Sequence, residues 1–180
     1  GSQKVRPEFR NPESIGVNTD WQDVIFRSAP VKNYQISSTL GTENTKFYIS
    51  GGFYDQKGII LTSGYNRFNV RANVDSKVFE RLNVGTSIMG TYGYGRWPVS
   101  EGHYGETGIL TMVASASPTI PVYDDEGNPY FDRQDMTDGL GWLANPLDVL
   151  NGYSDKRKVA NILMNNYVEY KILDGLTLRS

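Results

Sequence analysis

Side chains whose types and spacing suggest chemistry gather in a few stretches of this chain. The only histidine, His103, sits in "SEGHYGE" beside Glu101 and Glu106, a set that could supply a base or a ligand. No serine or cysteine nucleophile has a motif around it, so an ordinary loop residue is the plainer reading. "YDDEGN", Tyr123 to Asn128, gathers carboxylates and a glycine as calcium loops do. Its Asp124, Asp125 and Glu126 are consecutive and miss the EF-hand spacing, which leaves a solvated hairpin turn and no expected metal. "GTYGYGRW", Gly90 to Trp97, mixes aromatic rings with glycine; rings stack on sugar faces, and a belt of interfacial aromatics is the competing reading. Tyr92, Tyr94, Trp97 and Tyr104 are the candidate substrate-binding residues. Arg67 and Arg71 could guide an anionic ligand, but pairing with the protein's own carboxylates is the plainer reading.

These residues hang on segments of strict period two. In "YNRFNVRANVD", Phe68, Val70, Ala72 and Val74 share one parity, and Arg67, Asn69, Arg71 and Asn73 the other. Successive strand residues point to opposite faces, so the stretch makes a ribbon with one apolar and one polar side. "NYQISSTL", "KFYISGGFY", "LNVGTSIMGTYGYG" and "VANILMNNYVEYKI" repeat the pattern, with Leu163 out of phase. Gly51 and Gly52 predict a bulge or a close backbone approach. "GTEN", "SKVFER" and "LDG" are short connections, "DQKGIILTSG" is longer, and Arg96 to about Asp155 forms a long insertion. Short and longer connections alternate. Within the insertion the spacing predicts a helix near Gly108 to Ser115, a hairpin turning at Asp125 to Asn128, and one helical turn in "GLGWLANPLDVLN".

Composition closes several routes. The chain has 180 residues, a net charge of −2 and no cysteine, which removes disulfides, thiolate metal sites and the basic field that nucleic acid requires. No apolar run reaches the roughly 20 residues of a membrane helix, but barrel strands alternate and escape that test. The reading is an all-β antiparallel meander, and two solvents fit it. In a soluble glycan-binding sandwich the apolar faces of two sheets meet. In a membrane barrel the apolar face meets lipid. Strands of about 9 to 14 residues, segregated connection lengths, and Tyr34, Phe53, Tyr54, Tyr65, Tyr92, Tyr94 and Trp97 at strand ends favour the barrel. An enzyme would need carboxylates across a cleft, whereas those here cluster at one turn.

The span Asn18 to Asp75 resembles the start of the barrel in SusC/RagA-family TonB-dependent outer-membrane transporters. "NTDWQD", "FR.AP", "YISGGFYDQKGII" and "R.N.R.N.D" carry the resemblance, and "PTIPVYDDEGNPY" with "NPLDVL" extends it into the long loop. The resemblance implies a segment of a 22-stranded transmembrane barrel plugged by an N-terminal domain. It implies import of oligosaccharides or peptides with TonB-derived energy, delivered through an N-terminal region absent here, a SusD-like lipoprotein partner, outer-membrane lipid around the wall, and no cofactor. The expected organisation is a tag scar at residues 1–2, the end of a first extracellular loop at 3–30, strands at 31–95, a long extracellular loop at 96–155 and strands at 156–180, all in one fragment covering 3–180.

Overall fold

A computed structural model describes residues 10, 11, 13, 16–98, 108–131 and 145–180. The chain divides into two compact units, a sheet and a loop-built unit.

The sheet unit comprises residues 29–57, 64–95 and 156–180. Its strands are β1 (Val31–Gly41), β2 (Thr45–Lys57), β3 (Gly64–Phe79), β4 (Leu82–Trp97), β5 (Asp155–Leu173) and β6 (Leu176–Arg179), ordered β1-β2-β3-β4-β5-β6 in a single six-stranded sheet. β1 pairs with β2, and β2 with β3, antiparallel and without a break in register. The bulge expected at Gly51 and Gly52 is therefore absent from these ladders. Instead the Asn69 side chain lies where a Cβ of residue 52 would stand, so a side chain, not a backbone, makes the close approach.

Three strands outrun their expected lengths, while β1 and β2 keep to them. β3 and β4 have 16 residues each and β5 has 19. At about 3.3 Å per residue a 16-residue strand runs about 50 Å, well past the 9 to 11 residues needed to span a bilayer. The extra length comes from residues read as connections: "SKVFER" shrinks to a turn at Glu80 and Arg81, because Ser76 to Phe79 continue the ladder. There the Ser76 hydroxyl meets that of Thr45 at 2.9 Å, and the Lys77 amide donates to the Asn44 carbonyl at 2.7 Å.

The loop-built unit comprises residues 1–28, 58–63 and 96–155. Its elements are α1 (Trp21–Ile25), α2 (Ile109–Ser115) and α3 (Pro146–Gly152). The "NTDWQD" stretch, read only as loop, opens α1. Asp20 caps it, its carboxylate accepting from the amides of Gln22 at 2.9 Å and Asp23 at 3.3 Å. Trp21 and Ile25, one turn apart, fall on one face and are buried. The helix predicted near Gly108 is α2, with Ile109, Met112 and Val113 inward at helical spacing. In α3, Pro146 begins the helix and the Asn145 side-chain Oδ1 accepts from the Leu147 amide at 2.9 Å, capping it. Asn145 is buried, yet its amide donates to the carbonyls of Val122 at 2.8 Å and Tyr130 at 3.2 Å. It ties α3 to the predicted hairpin, whose Tyr123 and Pro129 bridge.

Trp21, Ile25, Ile60, Ile109, Val113, Leu147 and Leu150 close a hydrophobic core from three separate stretches of chain. The Trp21 indole N–H donates to the Ser117 carbonyl at 2.9 Å, so the ring enters this core with its polar atom satisfied. Residues 58–63 are fastened by Arg27, which donates from Nε to the Gly58 carbonyl at 3.0 Å and from Nη2 to the Ser63 carbonyl at 3.1 Å. Thr62 at the tip holds φ of 65°, a left-handed conformation seldom used by a β-branched residue.

Candidate functional site

The candidate site is the sheet, whose two faces differ in chemistry. In the ladder register Tyr34 lies opposite Phe53 and Phe53 opposite Phe68; Leu40 lies opposite Phe47 and Phe47 opposite Val74. Paired residues share a face, so these rows make one apolar side. It is bare: Ile36 is 77% exposed, Val70 56% and Ile162 83%. Leu40, Ile49, Met164, Val168, Leu176 and Leu178 are exposed as well. Soluble monomers seldom leave apolar surface on this scale uncovered. Phe53 and Phe68 touch at a centroid separation of 4.7 Å.

The other side is polar and cross-linked. Asn33, Tyr54 and Arg67 form one row, Gln35, Gly52 and Asn69 the next, and Ser37, Ser50 and Arg71 a third. Ser87 donates to Asn73 at 2.7 Å, and Asn83 to Glu169 at 3.1 Å. The Tyr167 hydroxyl donates to Asp75 Oδ1 at 2.7 Å, although 92 residues separate them in the chain. Gly85 makes this bond possible: a Cβ there would collide with the Tyr167 ring. Arg179 covers that ring at 4.1 Å from its centroid and lies 4.0 Å from Glu169. The parity of each strand announced a polar face, but its pairing partners depend on register between distant strands.

Of the four candidate binding residues, Tyr92, Tyr94 and Trp97 are described, and they do not all share one face of β4. Tyr92 and Tyr94 lie near each other at 6.3 Å between centroids, 43% and 40% exposed. They keep the parity of Leu82, Val84 and Ile88, the apolar side. Trp97 ends β4 on the opposite parity and is partly buried. Tyr104 lies outside the described residues, as do His103, Glu101 and Glu106.

At the acidic hairpin, Asp124 Oδ1 accepts from the amides of Glu126 at 3.0 Å and Asn128 at 2.8 Å. Its carboxylate thus holds the turn. Among the described residues no three His, Cys, Asp or Glu side chains gather where a metal ion could be held. Nor is any helix there long and apolar enough to cross a membrane, a test that does not bear on strands.

Comparison with known proteins gives the sheet a context. No family model matches the chain. The TonB-dependent receptor P3 of Formosa agariphila is 29% identical over 166 residues, covering 91% of this chain and 16% of that protein. The TonB-dependent receptor SusC of Bacteroides thetaiotaomicron is 30% identical over 181 aligned positions, covering 89% of this chain and 17% of that protein. The chain thus spans about a sixth of the length of these curated relatives. Among solved structures, the RagAB peptide transporter superposes with a TM-score of 0.68 at 22% identity, over 91% of this chain and 18% of that one. The RagAB importer in its closed-closed state gives 0.65 at 22% identity, with the same coverage. At that identity the likeness speaks for the fold: an antiparallel segment of barrel wall.

Proposed function

We propose that this chain, which belongs to the SusC/RagA family of TonB-dependent receptors, forms wall in an outer-membrane nutrient importer, binding and passing its substrate without bond chemistry. The observation that carries the proposal is the apolar face left bare from β1 to β6 while the opposite face is hydrogen-bonded. Lipid on one side and a wet or plugged lumen on the other match a sheet of that kind.

Several finer features follow in this reading. The turns at 42–44, 80–81 and 174–175 face the periplasm, and the ends of β2 and β4 from which the longer connections leave face the outside. TonB supplies the energy, a SusD-like lipoprotein meets the outer loops, and the substrate is an oligosaccharide or peptide. SusC and the RagAB peptide importer support this by likeness. Tyr92 and Tyr94 fit the headgroup belt better than a sugar platform, since they share the side of Ile88. Trp97 and Tyr104 remain the candidates for substrate contact.

Spin labels at positions 70 and 71 of the full-length receptor test the proposal. Label at Val70 should be quenched by a lipid-soluble reagent, and label at Arg71 by a water-soluble one. The reverse pattern would invert the faces, and water access to both would remove the membrane.

A further inference from the structure

Charge is distributed unevenly along the apolar side of the sheet. From Tyr34 to Leu40, Phe47 to Phe53, Phe68 to Val78, Leu82 to Tyr94 and Ala160 to Ile172, the strand positions on this side are uncharged. Beyond that band, at the ends from which the longer connections leave, stand Lys32 on β1, Asp55 and Lys57 on β2, Arg96 on β4, and Lys156 and Lys158 on β5. At the opposite ends the strand cations Lys46, Lys77, Lys171 and Arg179 all take the parity of the polar side. The four lysines of the apolar side are exposed, and among the described residues none of their ammonium groups has an ion pair or hydrogen bond. Arg96 is occupied, donating from Nη2 to the carbonyls of Leu150 at 3.2 Å and Tyr153 at 2.6 Å. Asp55 lies opposite Lys32 in the ladder, but on this side of β4 and β5 no carboxylate stands from Leu82 to Ile172.

We infer that Lys156 and Lys158, with Lys32 and Lys57 farther along the same rim, bind the phosphate groups of lipid headgroups in the leaflet at that end of the wall. Aromatic rings mark the step from band to rim: Tyr34 stands two residues inside Lys32, and Tyr92 and Tyr94 close the band on β4, the strand beside β5. Two residues of strand advance about 7 Å. Apolar chain, ring and ammonium therefore succeed one another as acyl tail, interface and headgroup do. An ammonium is a compact charge that suits phosphate, and its four-carbon stem can lie along apolar surface while the charge reaches outward. Lys156 and Lys158, about 7 Å apart on one side of one strand, can both reach a single phosphate. The sorting by end names the occupant. On the polar side cations occur at both ends, Arg67 and Lys46 among them, whereas on the apolar side they occur at one. A cation sorted in this way on the side that meets lipid matches a leaflet whose headgroups carry the opposite charge.

This inference rests on the importer reading, and the test keeps the two apart. Purified full-length receptor in neutral detergent is mixed with monophosphoryl lipid A or with its dephosphorylated form, and the lipid retained is counted by native mass spectrometry. The phosphorylated lipid should be retained about tenfold better, and K156Q/K158Q should remove most of that preference, since each lysine near an anionic surface is worth about a fivefold change. K46Q/K77Q, which takes two lysines from the polar side, should leave the preference unchanged. Equal retention of the two lipids, full retention by K156Q/K158Q, or an equal loss in K46Q/K77Q overturns the inference. Displacement of the lipid by inorganic phosphate also overturns it, because the site would then serve a soluble anion. A lowered melting temperature of K156Q/K158Q with retention intact does the same, by giving the lysines a partner inside the receptor. Failure of the receptor to fractionate with the outer membrane would instead strike the importer reading.

Discussion

Ile25 and Ile36 are the same residue eleven positions apart, one 0% exposed and the other 77% exposed. Ile25 belongs to the loop-built unit, which buries its apolar side chains against one another as any water-surrounded protein does. Ile36 belongs to the sheet, which turns its apolar side chains outward and keeps its hydrogen bonds on the opposite face. Hydrophobicity alone does not say where a side chain goes. What decides is the medium on the far side, and within one chain these two units answer to two media.

The contrast can be broken most forcefully in the loop-built unit. Trp21→Ala should remove about 3 to 5 kcal/mol of local stability by opening a cavity and freeing the Ser117 carbonyl. Hydrogen exchange on the full-length receptor should then show lost protection in α1, α2 and α3 with β1 to β3 unchanged. If the strands lose protection together with the helices, the two units are one cooperative body.

In the sheet, the next largest effect comes from charge. Val70→Arg should cost on the order of 2 to 4 kcal/mol and impair assembly, because it places a cation in lipid, while Asn69→Arg one residue away faces the lumen and should be tolerated far better. Yield of heat-modifiable barrel on gels reads both variants.

A subtler pair sharpens the comparison, because it adds bulk without charge. Ile25→Phe should destabilise the loop-built unit by about 1 to 3 kcal/mol through overpacking, whereas Val70→Phe should be near neutral since acyl chains move aside. Denaturant midpoints in detergent would decide it, and a clear penalty at Val70 would mean that packed protein, not lipid, covers that face. The smallest effect is at a helix end: Asp20→Ala removes the cap on Gln22 and Asp23 and should cost about 1 kcal/mol, visible as faster exchange confined to α1.

Much of this architecture is written locally. Alternation along residues 65–75 determined both faces of β3, since strand parity requires only neighbouring residues. The resemblance carried by Asn18 to Asp75 named the family, and helical spacing found α2. Local rules also contained α1, signalled by Asp20 before Trp21 and Ile25, although the stretch reads as loop if those residues are weighed one at a time.

Other features depended on where distant segments meet. Gly85 looks like any strand glycine until Tyr167 crosses it to reach Asp75, and Gly52 predicts a bulge until Asn69 is seen to fill its space. Nothing near Ile60 in the chain announces that it will be buried with Trp21 and Leu147. The sequence by itself determined which faces are apolar, because that follows from the period of the chain. Only the tertiary structure decided which apolar residues close on each other and which stay open, because burial depends on the partner across the gap and no residue carries that partner with it.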